Sequence, residues 1–383
     1  MVKNDDLREV TEGKVNYFVP SDYNLNGPGS ITGSAFYNRQ MEFNRDVCIA
    51  FLAGTASDGF RVLDANGATG IRSARIAIEI PLRLRITCND TEKNATSLMR
   101  ENFRRLGLDG IRITSRRAQA LLAEEHFDYI DIDPFGTPAG YIPAAVQSVS
   151  GGGIMAITAT DAAVLCGSAR GSERRYLCRA GRWPFMHEVG LRNLTGYVVR
   201  MAASYDRAAY PLLSYYADHY FRIYFRFADG GTRAEKQLES IGYAHYDSRT
   251  GERRVDLEYD ARAAGPMWIG PLHDRNTLNS LSVPDGSGTG KRLAKWIDMW
   301  KNECDAPPLF YRMDEIASML RISMPKREEL LGLLSTETPA VRTHFDSKGF
   351  KTRLTMGEIR HKLLDIYGKT DVSDTRGQIP NTG

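Results

Sequence analysis

The sequence predicts an α/β protein: a doubly wound, Rossmann-like sheet followed by a smaller α+β C-terminal domain with a winged-helix-like module. Three observations carry that expectation. From about residue 60 to 160 short β-rich runs alternate with helical stretches, the pattern of a parallel sheet with crossover helices. The run DHYFRIYFRFADGG alternates Phe221, Ile223, Phe225 and Phe227 with Arg222, Tyr224 and Arg226, a period of two that reads as a half-buried strand closing the sheet. The last 80 or so residues read as two short helices, a strand, a tight turn and a second strand.

Taken in order, the candidate strands are Phe60 to Asp64, Arg83 to Cys88, Ile111 to Thr114, Asp128 to Ile132 and Gly153 to Thr158. Three of the first four end at an acid or run into one: Asp64, Asp90 and Asp133. Carboxyl ends of strands face the ligand crevice in such sheets, so the three acids are expected on one rim. Gly230-Gly231 reads as a linker, and Gly242 to Glu258 as a hairpin around Asp247-Ser248-Arg249-Thr250-Gly251. Helices are expected at Leu293 to Asn302, Met313 to Leu320 and Lys326 to Leu334, then strands in AVRTHF and FKTRL. At 383 residues the chain exceeds one usual core. The expected division is 1–230, 231–368 and a disordered tail over 369–383.

Composition removes several function classes. The chain is 42% hydrophobic and 25% charged, ordinary for a globular protein. No stretch approaches the roughly 18 to 20 apolar residues of a membrane span, and MVKNDDLREV has no apolar signal core, so a cytoplasmic protein without membrane contact is expected. The five cysteines Cys48, Cys88, Cys166, Cys178 and Cys304 include no C-x-x-C pair, which suggests neither disulfides nor a zinc knuckle. No metal and no protein partner is indicated.

Two constellations carry chemistry. In VLDANGATGIRSARIA a strand ends at Asp64, Gly67 and Gly70 permit a tight turn, and a helix begins at Ile71. The spacing is G-x-x-G, which alone is compatible with a plain turn. Asp90, 26 residues beyond Asp64, sits where a carboxylate accepts ribose hydroxyls, which favours a nucleoside cofactor. With no second glycine-rich phosphate clamp, S-adenosylmethionine fits better than NAD or FAD. The second constellation is DYIDIDPFGTP. Proline ends ladder pairing, and an acid, a rigid turn and an aromatic in succession suit an exocyclic amine on a flat base. Asp133 and the Pro134 carbonyl would accept its hydrogens while Phe135 stacks on the ring. A mere strand-end turn would explain Pro134 and Gly136 and leave Asp133 idle.

The run IDIDPFGTPAGYIPAAVQS…GGIMAITATDAAVLCG, with AFYNRQMEFNRD, LDANGATGIR, HEVGLR, GPMWIGPL and RTHFDSKGFKT, closely resembles the archaeal tRNA (guanine-26, N2)-dimethyltransferase family. The resemblance runs from about Glu12 to Thr355. It implies a class I methyltransferase sheet, S-adenosyl-L-methionine as cofactor, tRNA as partner, and transfer of one then two methyl groups to the N2 amine of a guanine. It further implies that Asp133 faces the amine, that Phe135 and Phe36 hold the flipped base, and that Arg45, Arg72 and Asp90 contact the cofactor. The sequence departs from the family at Arg116-Arg117-Ala118-Gln119, where an acid followed by Ala is usual. The backbone N–H of Ala118 could still serve the adenine end, whereas Arg117 cannot accept a hydrogen bond. Phe36-Tyr37-Asn38-Arg39 replaces F-Y-N-P, and GYAHYDSRTGERR lacks the C-x-x-C of some relatives.

RNA presents phosphates, which call for arginine and lysine. Arg170, Arg174, Arg175, Arg179 and Arg182 share a loop with Glu173 as its sole acid, a patch that the net charge of +3 hides. Arg342, His344, Lys348, Lys351 and Arg353 are expected to add a second grip. Met186-His187-Glu188 lacks the second His of H-E-x-x-H and reads as a helix start. Thr158, Thr160 and Asp161 either line the crevice or cap the fifth strand. Two rival readings are an amino-methyltransferase acting on another nucleic-acid base and a tRNA-binding scaffold without catalysis.

Overall fold

The structure is a computed structural model that describes residues 7–21 and 35–367. The tail read as disordered lies outside the described residues. The chain opens with a hairpin, β1 (Leu7–Glu12) and β2 (Val15–Pro20), then α1 (Glu42–Thr55). Alternation follows: β3 (Arg61–Asp64), α2 (Ile71–Glu79), β4 (Arg85–Asn89), α3 (Lys93–Arg105), β5 (Arg112–Thr114), α4 (Ala118–Glu124), β6 (Phe127–Ile132), α5 (Ile142–Ser148) and β7 (Val149–Ala159). Helices α6 (Ala162–Leu165), α7 (Ser172–Tyr176) and α8 (Met186–Ala203) lead to β8 (Arg207–Ala217) and β9 (Tyr220–Asp229).

These strands form one seven-stranded sheet in the order β5-β4-β3-β6-β7-β9-β8, parallel from β5 to β7 and antiparallel at β9 and β8. The chain winds outward from β3 to β5 and returns to the other side of β3 with β6. That reversal makes the β3/β6 boundary the switch point where such sheets open a crevice. All five expected parallel strands are present, and the doubly wound class is the observed one.

Strand β9 corrects one expectation. It is buried on both faces, because Phe221, Ile223, Phe225 and Phe227 join the core beneath α5 and α8 while Tyr224 joins a second core beneath α1. Arg222 is fully buried as well. Gly230-Gly231 is no linker: Gly230, at φ 124, caps α9 (Gly231–Leu238). The buried Gln237 side chain of α9 exchanges hydrogen bonds with the Ala209 amide and carbonyl at 2.7 and 2.5 Å, covering the edge strand β8.

Beyond α9, β10 (Ile241–Tyr246), β11 (Arg253–Asp256) and β12 (Ala264–Trp268) form a small antiparallel sheet, followed by α10 (Arg275–Ser280) and α11 (Gly290–Glu303). Leu278, Leu293, Ile297 and Trp300 of these helices lie in the core of the large sheet with Phe43, Val62 and Tyr215. A third sheet contains β13 (Tyr311–Arg312), β14 (Ala340–Arg342) and β15 (Gly349–Thr352), accompanied by α12 (Met313–Leu320), α13 (Arg327–Leu334) and α14 (Met356–Tyr367). The two expected strands are there; β13 and α14 were not anticipated. Among the described residues no helix is long and apolar enough to cross a membrane.

Buried polar groups dock this last module. Lys351 on β15 donates to Glu188 of α8 at 2.9 Å, and Arg192 holds the same carboxylate at 2.9 Å. His344 hydrogen-bonds to Glu303 through Nδ1, and its Nε2 accepts from the Tyr216 amide at 3.4 Å. His273 completes the cluster, with donor atoms within 4.8 Å of the other two. Two residues read as an RNA grip are thereby corrected: His344 and Lys351 face inward, because the module's attachment consumes them. Arg342 pairs with Glu328 and Lys348 with Asp314, both at the surface, which leaves Arg353 as the exposed cation of that set with no ion pair among the described residues.

The docking cluster predicts acid lability. Burial holds His273 down to about 3 from an ordinary 6.5, so below pH 6.5 the unfolded chain takes a proton that the folded protein refuses. Burial works to raise Glu303, but His344, Lys351 and His273 outweigh it and bring it from 4.5 to about 2. That contribution is present above pH 4.5 and is lost as pH falls toward 2. Both shifts act in one direction. Stability should decline by up to about 1.4 kcal/mol per pH unit from the His273 contribution between pH 6.5 and 3. Urea unfolding at pH 7 and pH 4.5 measures this, and His273→Gln should flatten the dependence; equal slopes in both proteins would contradict it.

Candidate functional site

The turn after β3 builds the first wall of the crevice. Gly70 caps α2 at φ 82, and a Cβ there would meet Phe103 Cζ at 2.8 Å, so both conformation and space require glycine. At Gly67 a Cβ would lie 2.5 Å from Cys88 Sγ, which keeps the backbone close against β4. The N-terminal hairpin braces this turn from outside, with the Tyr17 hydroxyl donating to the Thr69 carbonyl. Nothing in the local sequence of β1 or β2 announces that role.

Beside this turn lies a cleft of about 700 Å³, lined by Ala65, Asn66, Asn89, Thr91, Arg117, Ala118, Gln119, Ala120 and Tyr141. Its volume suits a nucleoside-sized ligand. Asp90 accepts from the Ala68 and Glu92 amides at 2.9 Å each, and every carboxylate oxygen keeps a further lone pair. Asn66 Oδ1 is buried with no hydrogen-bond partner, a vacant acceptor in the cleft wall. Ala118 is the first residue of α4, where an amide has no intrahelical acceptor, and Arg117 is exposed at the same edge. These groups fit a ligand with ribose hydroxyls and a hydrogen-bonding base.

A larger cleft of about 930 Å³ lies at the amino ends of the parallel strands, lined by His126, Arg207 and Asp229 among others. It is remote from the glycine turn and the strand-end acids. Arg207 there is occupied by Asp229 at 2.7 Å and by the carbonyls of Val146 and Val149. We place the chemistry at the carboxyl ends of the strands.

At the switch point, four charged side chains form a neutral cluster. Asp133, following β6, pairs with Arg72 of α2. Arg72 also donates to Asn44 Oδ1 at 3.0 Å and lies 3.5 Å from Asp131. Asp131 is clamped by Arg222 of β9 through bonds of 2.9 and 2.6 Å and receives the Tyr129 hydroxyl at 2.7 Å. Arg222 further donates to Thr158 Oγ1 at 2.9 Å. Burial works to raise Asp131, but Arg222 and Arg72 outweigh it and bring it to about 2. Asp64 is not a rim acid: it is buried against Ser73, 3.0 Å from its hydroxyl, and burial raises it to about 7.

Phe135 is 56% exposed, rare for so large an apolar ring, and meets Phe36 edge-on with centroids 4.4 Å apart. The turn behind it is held by Thr160, whose hydroxyl accepts from the Gly136 amide at 2.8 Å and whose amide donates to the Gly136 carbonyl at 3.0 Å. Among the described residues nothing donates to the Pro134 carbonyl. Arg45, by contrast, is buried: it donates to Glu12 and, at 3.0 Å, to the Asn38 carbonyl two residues beyond Phe36. The structure thus gives Arg45 a bracing contact beneath the Phe36 segment.

In the basic loop, Arg170, Arg174, Arg179 and Arg182 are exposed and none has an acid within ion-pair reach among the described residues. Arg175 differs, pairing with Asp161 at 2.9 Å. Sequence reasoning missed Asn44, Asp131 and Arg222. Asp131 stands two residues before Asp133, so strand alternation alone was the available signal.

Residues 24–364 match the family of N2,N2-dimethylguanosine tRNA methyltransferases. A curated tRNA (guanine(26)-N(2))-dimethyltransferase of Pyrococcus horikoshii is 36% identical over 375 residues, covering 91% of this chain and 96% of the relative. The enzyme of the same description from Sulfurisphaera tokodaii is 34% identical, covering 92% and 98%. A structure of Trm1 from Pyrococcus horikoshii in complex with S-adenosyl-L-methionine matches with a TM-score of 0.84 and 34% identity, over 93% of this chain and 99% of that one.

Proposed function

This chain belongs to the N2,N2-dimethylguanosine tRNA methyltransferase family, and from that membership we propose the chemistry of its site. The protein is a methyltransferase that uses S-adenosyl-L-methionine to methylate, once and then twice, the exocyclic N2 amine of the guanine at position 26 of tRNA. The single observation that carries the assignment of residues is the Arg72–Asp133 pair, set at the switch point beside the exposed Phe135 and the nucleoside-sized cleft.

Asn66, Asp90 and the Ala118 amide are the groups placed to hold the cofactor, with Arg117 at the mouth. When bound there, the cofactor supplies a methyl group on an electron-poor sulfur. The chain's own contribution is to position the amine and to manage its charge. A guanine amine is a poor nucleophile because its lone pair is delocalised into the ring. Asp133 and the Pro134 carbonyl accept the two amine hydrogens and hold the nitrogen in place, and the Asp133 carboxylate offsets positive charge that develops on nitrogen. Arg72 holds Asp133 in orientation through their ion pair.

The Phe36–Phe135 contact closes the base site in the free protein. A base between two rings needs about 7 Å from ring to ring, twice an ordinary contact distance, against the 4.4 Å observed. The flipped guanine must therefore part them, and the room they yield governs whether a once-methylated amine is accepted again. The four arginines of the 170–182 loop that have no ion pair among the described residues are the phosphate grip. A tRNA substrate and reduced, unpaired cysteines suit the cytoplasm.

Incubating the protein with a tRNA transcript and S-adenosyl-L-methionine, then analysing the nucleosides by mass spectrometry, tests this. The expected products are N2-methylguanosine followed by N2,N2-dimethylguanosine, absent from a transcript with adenosine at position 26. Methylation of another base, or binding without turnover, would overturn the reading.

A further inference from the structure

Helix α7 carries the arginine loop, yet its last residue is turned inward. Tyr176 is fully buried, and its hydroxyl donates to Asp161 Oδ1 at 2.6 Å. The same oxygen lies 2.8 Å from Thr137 Oγ1. Because Tyr176 spends its one proton on Asp161, Thr137 must donate to Tyr176. The result is a directed chain from Thr137 through Tyr176 to Asp161, closed by Arg175 on the other carboxylate oxygen at 2.9 Å. Thr137 stands two residues beyond Phe135, and Asp161 directly follows Thr160, which holds Gly136.

The contacts of α7 continue beyond this hydrogen-bond chain. The Tyr176 carbonyl accepts from Arg200 of α8 at 2.9 Å, and its ring packs edge-on against Tyr197 at 5.7 Å. Arg179 forms an isolated bridge with Gly265 of β12, with hydrogen bonds of 2.7 and 2.9 Å. The exposed Arg174 and Arg182 are thus borne on a frame that shares one hydrogen-bond chain with the turn presenting Phe135.

We propose that Tyr176 is a positioning residue that couples the RNA-phosphate grip of the arginine loop to the placement of Phe135 and Asp133. The inference rests on the reading of that turn as the base site. Engaged phosphates fix α7, α7 fixes Tyr176, and Tyr176 with Thr137 fixes the turn on which the base is held. A displacement near 1 Å at such a turn suffices to slow a reaction that depends on alignment.

Tyr176→Phe keeps the ring packing and removes only the hydroxyl. It should lower kcat on tRNA about 10-fold while tRNA and S-adenosyl-L-methionine dissociation constants stay within about twofold. Thr137→Val, which cuts the same chain from the other side, should reproduce the loss, and the double variant should be no slower than either single. Arg174→Ala, which removes one of the phosphate contacts that fix α7, should weaken tRNA binding and lower kcat as well. A kcat within twofold of wild type in Tyr176→Phe, or additive losses in the double variant, would overturn the inference. Phe135→Ala separates the two levels. If that variant keeps full kcat, the base-site reading falls and the inference with it; if it loses kcat while Tyr176→Phe does not, only the inference falls.

Discussion

Asp133→Asn is expected to lower kcat for tRNA methylation by about 10²- to 10⁴-fold, with cofactor binding changed by no more than a few-fold. The substitution keeps the side chain's shape and one acceptor oxygen, so Arg72 retains a hydrogen-bond partner there. What disappears is the negative charge facing a nitrogen that becomes positive as the methyl arrives. The Asp133 side chain is 17% exposed, and a charge so placed contributes more than one in bulk water. The cofactor cleft is bounded by other residues, and Asp133 is absent from its lining. Single-turnover methyl transfer and calorimetric cofactor binding separate the two effects. A kcat within about threefold of wild type would remove Asp133 from the chemistry and leave it as a partner for Arg72.

The legibility of this site in the sequence followed the locality of each signal. DPFG was readable because an acid, a proline, an aromatic and a glycine follow one another, and each constrains the same turn. The strand ends were readable from alternation, and with them the positions of Asp90 and Asp133. Asp64 shows the limit of that logic, because a strand-end position does not tell whether a side chain faces the rim or turns back into the core onto Ser73. The basic loop was readable as charge. That Arg175 serves Asp161, and that Tyr176 beside it turns inward, depends on the packing of α7 against α8 and β7.

The same limit applies to the C-terminal module. A stretch rich in His, Lys and Arg resembles an RNA grip, but Lys351 and His344 meet Glu188 and Glu303, supplied by helices 163 and 41 residues away in sequence. A charge pattern gives the sign of a surface and not the identity of the residues that reach it. Resemblance to a family raised Phe36 and Arg45 above the ordinary readings of a core aromatic and a solvated arginine, and matched Arg72 to a cofactor-contacting position. It did so without indicating that Arg45 grips Glu12 or that Arg72 is shared between two aspartates.

Replacing Arg222 with methionine is expected to destabilise the protein by about 3–5 kcal/mol, the range for breaking a buried ion pair from one side. Arg222 is fully buried and holds both oxygens of an equally buried Asp131. Without it, Asp131 keeps the Tyr129 hydroxyl, the Cys48 thiol at 3.8 Å and Arg72 at 3.5 Å. Arg72 would then be drawn toward Asp131 and away from Asp133, so the variant should lose activity beyond its loss of fold. Removing both charges in Asp131→Asn/Arg222→Met should recover most of the stability, since no buried charge is then left unpaired. The pH dependence gives a second handle. Asp131 titrates at about 2 in the folded protein against an ordinary 3.8, so its contribution is present above pH 3.8 and is lost as pH falls through 2. The double variant should lack that contribution. Denaturant unfolding of the single and double variants decides the matter. A single variant as stable as wild type would mean that water reaches the cluster and screens Asp131, and a double variant no better than the single would locate the cost in lost packing around Arg222 and Tyr224 rather than in the unpaired carboxylate.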